Sequence, residues 1–443
     1  MKRALPGPFF GAFLWCAALA VVSSDAGAEP LSASPFNNLG IFARALAHVE
    51  SSYVEDIDQD ALIYGAIRGM LATLDPHSAF MDPEEFRVLA SDTEGRYGGI
   101  GVEIDVKDGW LTVLNAFEGG PAARAGVRPG DRFLSIDGAP ARDLPIDAAI
   151  RVMRGEPGTR VRIALRRAAE RDAIRLALTR EVIRINAVEA RVLPDRTVYL
   201  QVRTFNETTV PDFRRSLDEA ADRTASAGGI RGLLIDLRNN AGGLLDSAVL
   251  LADEFIESGP IVSIHGRGDR KLRQINATSG GTRPDWPMVV LVNGYTASAA
   301  EIAAGALSEH KRAVIVGTRT FGKGSVQNII VLPDGSALKL TTARYYTPSG
   351  RSIQAQGIEP AVTVEQLPSD ARLTKASGDT TVREATLSGH LEADDESGAG
   401  QDRPAGRGYR GERQAATATA PFVDDYQARV AYQILQALLE KKR

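Results

Sequence analysis

Met288-Val289-Val290-Leu291-Val292-Asn293-Gly294-Tyr295-Thr296-Ala297-Ser298-Ala299-Ala300-Glu301-Ile302 is an apolar run that stops at an Asn-Gly pair and gives way to small, helix-forming residues. A short apolar run bounded by a turn signal reads as a buried strand, and Ala299 to Leu307 as the helix after it. Ser298 therefore lies on a strand-to-helix turn, where the unpaired N–H groups of a helix start can hold an anion. The same residues also describe a helix cap, because serine followed three positions later by glutamate is a capping box. From this stretch alone the cap is the plainer reading.

The pattern repeats on both sides. Apolar runs at Val198 to Val202, Gly232 to Leu237 and Ala313 to Val316 alternate with helical stretches at Val210 to Ala225 and Leu244 to Ile256. Such alternation predicts an α/β core, βαβ-rich, around a largely parallel sheet. Asp334-Gly335, between Val326 to Leu332 and Ala337 to Thr342, predicts a β-hairpin.

Two other core segments carry chemistry. In Gly317-Thr318-Arg319-Thr320-Phe321-Gly322-Lys323-Gly324-Ser325-Val326-Gln327, a lysine sits between glycines. A serine hydroxyl needs a base, and lysine serves only when neutral. That requires lowering its pKa from ~10.4 toward ~7–8 at a cost of about 3–5 kcal/mol, so the site must be buried. Gln327 lies four residues on, and strand alternation places it on the face of Lys323, where it could orient the amine. In Gly232 to Gly243 a buried strand turns through Gly242-Gly243, whose N–H groups could donate to an oxyanion. A glycine pair is also an ordinary tight turn.

Upstream, from Tyr97 to about Arg180, the pattern changes to short alternating strands at Gly101 to Val106, Trp110 to Val113, Asp131 to Ile136 and Thr159 to Leu165, with turns at Asp108-Gly109, Pro129-Gly130 and Asp137-Gly138. Tyr97-Gly98-Gly99-Ile100-Gly101 and Gly120-Pro121-Ala122-Ala123-Arg124-Ala125-Gly126-Val127-Arg128-Pro129-Gly130-Asp131 together resemble a PDZ domain. The resemblance implies that Gly98, Gly99, Ile100 and Gly101 hold a C-terminal carboxylate while the next strand pairs with the peptide. Asn38 to Leu74 reads as two or three helices, interrupted from Glu55 to Asp60. Asp82-Pro83-Glu84-Glu85 starts another helix, with His77 on the turn before it.

The three core segments in this order resemble the C-terminal processing peptidases, the tail-specific serine peptidases of family S41, and Leu340 to Ile353 extends the likeness. The resemblance implies a crotonase/ClpP-like protease core. It assigns Ser298 as nucleophile, Lys323 as base, Gln327 as its support, and the N–H groups of Ala299 and of Gly242 or Gly243 as oxyanion donors. Arg154 would couple PDZ position to the site, against the plainer reading of a solvated turn arginine. Thr296 and Ala300 stand where the family often has serines, and Ala241 where proline is common. Substrates would be proteins or peptides with accessible C-termini. The resemblance also implies a homodimer or higher homo-oligomer built through N- and C-terminal helices, and leaves room for an adaptor protein.

The layout then reads as a signal peptide at 1–28, an N-terminal helical region at 29–94, a PDZ domain at 95–182, the protease core at 183–368, a flexible linker or insert at 369–420 and a C-terminal helix at 421–443. Lys2 and Arg3, the apolar stretch Phe9 to Val22 and Ala26-Gly27-Ala28 carry the first assignment, with cleavage after Ala28 and a destination in the periplasm or cell envelope. Retention as a membrane anchor is the alternative. Cys16, the only cysteine, falls inside that segment, so the mature chain has neither disulfides nor a thiol nucleophile. At 443 residues two or three domains are expected, and a net charge of −4 gives no basic excess for nucleic acid.

Other chemistries fit less well. Histidines stand at 48, 77, 265, 310 and 390; His310 is nearest Ser298 in sequence, but Glu309 and Lys311 make it a solvated helix end, and no Gly-x-Ser-x-Gly elbow surrounds Ser298. There is no His-Glu-x-x-His and no spaced Cys/His cluster, so neither metal nor cofactor is expected. A PDZ-bearing scaffold with an idle site is a further alternative, which three intact core segments argue against.

Overall fold

The computed structural model describes residues 35–142, 144–168, 170, 172–366, 382–392 and 421–441. The signal peptide expected at 1–28 lies outside the described residues. Among them no helix is long and apolar enough to cross a membrane. The chain divides into a unit ending at Ile63 and a unit from Tyr64 onward.

The first unit holds the helix Pro35–Ser52 and the start of the helix Gln59–Ala72. The polar stretch between them ends in a cap, Asp58, whose carboxylate accepts from the Asp60 N–H at 3.0 Å. Leu39, Ile41, Phe42, Tyr53 and Val54 are exposed.

In the second unit, the predicted core is a six-stranded sheet. Thr197–Val202, Gly232–Asp236, Met288–Val292, Val314–Gly317 and Val362–Thr363 run parallel, and Val188–Val192 adds an antiparallel edge. All residues of Gly232–Asp236 and Met288–Val292 are buried, which is why these strands read as unbroken apolar runs rather than alternating ones. The helices Thr209–Thr224, Leu245–Asp253 and Ala299–Glu309 supply buried side chains to the core on one face.

The helix Tyr426–Lys441 covers the other face. Ala428, Ala431, Leu435 and Leu439 are buried against Leu234, Val289 and Leu291. Its apolar stripe of Tyr426, Val430, Ile434, Leu435 and Leu438 packs on the chain's own sheet.

A second, antiparallel sheet holds the predicted hairpin Ser325–Val331 and Ala337–Tyr346, extended by Pro260–Gly266 and Lys271–Asn276 and flanked by Ala79–Met81. The expected helix after Asp82 is Pro83–Glu94, with a complete Asp82–Glu85 capping box. Beyond it the chain enters the small β domain through Arg96–Gly99 and leaves through Glu181–Arg184, which pair as a two-stranded ribbon. Between them Val102–Lys107, Trp110–Ala116, Arg132–Ile136, Arg160–Arg166 and Ile174–Thr179 form one antiparallel sheet. Its core includes Phe133, Val161 and Leu165.

The stretch expected to be a linker contains described structure. Residues 382–392 include a short turn, Glu384–Thr386, in which Glu384 is fully buried. The rest of 369–420 lies outside the described residues.

Candidate active site

Ser298 opens the helix Ala299–Glu309, as its sequence position predicts, but not in the conformation of an ordinary cap. Its φ of 55° and ψ of −119° lie in a region that L-residues rarely adopt, at a cost of about 1–3 kcal/mol. Strain of this kind persists only where surrounding bonds over-determine it. The N-terminal half of the capping box is present: the Ser298 N–H donates to Glu301 Oε2 at 2.8 Å.

That glutamate does more than cap. Glu301 is fully buried and is the place where the serine turn and the lysine loop meet. Its Oε2 also accepts from the Lys323 N–H at 2.9 Å, and its Oε1 accepts from the Gly322 N–H at 2.8 Å and from the Thr320 hydroxyl. One carboxylate thus binds the backbones of Ser298 and Lys323 to a single oxygen. Burial pushes its pKa up to about 7, against the pull of these four donors.

The glycine turn joins from the other side. Asn239 and Asn293 exchange hydrogen bonds, the Asn239 N–H to Asn293 Oδ1 at 3.0 Å and Asn293 Nδ2–H to Asn239 Oδ1 at 2.8 Å. The Ala297 N–H donates to the Asn240 carbonyl at 2.9 Å. A Cβ on Gly242 would stand 2.9 Å from both the Ala299 nitrogen and Ser298 Cβ, so the glycine keeps open the space before the Ala299 N–H.

The two glycines are not equivalent. The Gly242 N–H is taken by Asn240 Oδ1 at 2.8 Å, which removes it from the expected oxyanion donors. Gly242 O and the Leu244 N–H pair with Phe205, and the Gly243 N–H has no part in that bridge.

Lys323 is partly buried between Gly322 and Gly324. A Cβ on Gly324 would come within 2.4 Å of the Gln354 backbone nitrogen, so only glycine lets Gln354 pack this close to the lysine loop. Burial and the nearby Lys339 charge push the Lys323 pKa down to about 8, opposed by Glu384, Asp75 and Glu301.

Gln327 does not meet Lys323. Its amide donates to Ser325 Oγ at 2.9 Å and to Thr341 Oγ1 at 3.4 Å. The expected shared face fails for two reasons: the strand begins only at Ser325, and a register shift between Val326 and Gln327 breaks the alternation.

His310 lies at the far end of the Ser298 helix, with its Nε2 on the Pro260 carbonyl at 2.8 Å. A helix of 11 residues separates it from Ser298 by roughly 16 Å, too far for a base. Among the described residues no group of His, Cys, Asp or Glu could hold a metal.

In the small β domain, a cavity of about 340 Å³ lies beside the edge strand Val102–Lys107, lined by Ile100, Gly101, Val102, Phe117, Met153 and Arg154 among others. Ile100 and Gly101 are thus placed at it. Gly98 and Gly99 do not line it: they pair with Val182 and Glu181, and a Cβ on Gly98 would meet the Gly155 carbonyl at 2.1 Å, so that glycine serves close packing. Arg154 is partly buried. It pairs with Asp92 of the helix Pro83–Glu94 at 2.8 Å and lies 4.3 Å over the Tyr97 ring.

Three family models match this chain: peptidase family S41 over residues 196–364, a PDZ domain over 112–167, and the activating protease CtpB N-terminal domain over 19–85. The carboxy-terminal-processing protease of Bartonella bacilliformis is 36% identical over 97% of this chain and 95% of its own length. The chain belongs to peptidase family S41. The peptidase is 33% identical to the carboxy-terminal processing protease CtpA of Bacillus subtilis, over 77% of this chain and 72% of that one. Among solved structures, the photosystem II D1 C-terminal processing protease is 33% identical, covers 74% of this chain and 88% of its own, and superposes with a TM-score of 0.46. The protein is therefore a serine-type peptidase carrying a PDZ domain.

Sequence reasoning did not find the roles of Asn239, Asn240, Asn293, Thr320 or Gln354, and saw Glu301 only as a cap partner. Buried polar residues crowded around glycine turns were the available signal.

Proposed function

We propose that this peptidase is an exported endopeptidase that cleaves proteins from or near their C-termini, with Ser298 as nucleophile and Lys323 as general base. The observation that carries the reading is the shared carboxylate of Glu301, which accepts from the backbone N–H groups of both residues. Neutral Lys323 takes the proton of Ser298 Oγ as the oxygen attacks the scissile carbonyl. The tetrahedral oxyanion is held by the N–H groups of Ala299 and Gly243. The lysine ammonium returns the proton to the leaving amine, and water, deprotonated in turn by the lysine, hydrolyses the acyl-enzyme. Gln327 supports the lysine loop at one remove, through Ser325.

The PDZ module, 95–182 in this division of the chain with the core at 183–368, captures the substrate's end. The free edge of Val102–Lys107 suits strand addition, the apolar cavity suits a terminal side chain, and Ile100 and Gly101 head the cleft where a carboxylate would sit. Arg154 links the cleft to the helix Pro83–Glu94, and Ala79–Met81 just before that helix pairs with the strand carrying Lys339. This is a physical route by which cleft and site could sense each other. Export rests on the basic, then apolar, then small-residue order of the first 28 residues. Self-association rests on the exposed apolar residues of the first helix.

Cleavage of an unfolded, β-casein-like substrate by Ser298→Ala and Lys323→Ala variants tests the dyad. Both lose at least about 10³-fold in kcat, while replacing His48, His265, His310 and His390 together leaves most of the activity. Full activity in Lys323→Ala would refute the reading.

A further inference from the structure

The segment 382–392 lies beyond the stretch matched by the S41 model, yet it reaches the lysine loop. The Glu384 N–H donates to the carbonyl of Phe321 at 3.2 Å, two residues before Lys323. On the other side, Gln354 bridges. Its Nε2–H donates to Glu384 Oε1 at 2.8 Å and to the Leu391 carbonyl at 3.0 Å, while its Oε1 accepts from the Gly324 N–H at 2.9 Å. Glu384 thus grips the loop directly before the lysine and indirectly after it.

The remaining carboxylate oxygen, Oε2, lies 2.7 Å from His77 Nε2. Glu384 and Gln354 are both 0% exposed. A carboxylate so buried is tolerated only when fully paired. Here the His77 and Gln354 bonds and the Lys323 charge outweigh the upward push of burial and hold its pKa below the usual range.

We propose that Glu384 is a positioning residue for the peptidase reaction: docked from outside the matched core, it sets the Phe321–Gly324 turn that carries Lys323. This rests on Lys323 being the base. The charged groups acting on that amine are Lys339 from the neighbouring sheet, Asp75 from the turn after the second helix, Glu301 from the serine helix, and Glu384. Glu384 accordingly makes a trade. It orders the base and keeps it from being neutral at lower pH.

The test measures kcat/KM from pH 6 to 10 for Glu384→Ala and Glu384→Gln in the full chain, on an unfolded protein with a free C-terminal carboxylate. Glu384→Gln keeps the side-chain shape and an oxygen for the Gln354 amide while removing the charge. The expected result for Glu384→Ala is a kcat at least ~10-fold lower with KM within ~2-fold, and an acid limb moved to lower pH by about half a unit or more. In Glu384→Gln the limb moves equally while most of the lost kcat returns. Wild-type kcat and limb in both variants would overturn the proposal, as would equal losses in both with the limb unmoved. Lys323→Ala separates the two layers: if it is fully active the dyad itself fails, whereas an inactive Lys323→Ala beside unaltered Glu384 variants sinks this inference alone.

Discussion

Ser298 and Lys323 each hold a state that the fold must enforce. Ser298 has φ 55°, a conformation only glycine adopts freely, so Ser298→Gly should be more stable than Ser298→Ala by about 1 kcal/mol in denaturant unfolding, with both inactive. Lys323 has its pKa lowered from 10.5 to about 8. Below pH 8 both folded and unfolded states are protonated and the folded state bears the full cost, about 3 kcal/mol; as pH rises from 8 to 10.5 the cost disappears. Lys323→Met should therefore stabilise the protein by about 1–3 kcal/mol at pH 7, and by little above pH 10.5. Glu301→Gln exchanges one acceptor oxygen for a donor facing N–H or O–H groups. It should lose about 2–5 kcal/mol of stability and at least about 10²-fold in kcat, read by unfolding and by steady-state kinetics.

At the scale of elements, the glycine turn, serine turn and lysine loop make the site only together. Gly242→Ala would strain a residue at φ 100° and fill the space before the Ala299 N–H. Its expected signature is a kcat about 10²–10³-fold lower with KM little changed. The parallel strands were legible in the sequence because burial on both faces writes an unbroken Val/Leu/Ile run, and the serine turn because Asn293-Gly294 ends one. Lys271–Asn276 was not legible. Its side chains are mostly exposed, so it carries neither an apolar run nor alternation. Gln327 was misplaced because a bulge leaves no mark in composition. The donors to Glu301 from Thr320, Gly322 and Lys323 are non-local, and no local pattern announces them.

For the whole molecule, the C-terminal helix and the inserted module converge on the core. The final helix closes the sheet through Leu435, 0% exposed, and Leu435→Ala should cost about 2–5 kcal/mol. Arg238 reinforces this closure, bonded at 2.6 Å to both Asp236 of the central strand and Asp425 just before that helix. The PDZ module reaches the core side through Arg154 and Asp92. Arg154→Ala should abolish the difference in kcat/KM between substrates ending in a free carboxylate and their amidated counterparts. The order of modules was legible from glycine-marked turns and changing periodicity, whereas the docking of residues 382–392 rests on one buried carboxylate within a polar, aperiodic stretch. Everything here depends on a lysine that is neutral when it acts. The most direct test is the pH dependence of kcat/KM for the wild-type enzyme: the account predicts an acid limb with its midpoint near pH 8, and a limb near 6.5 that disappears on replacing a histidine would contradict it.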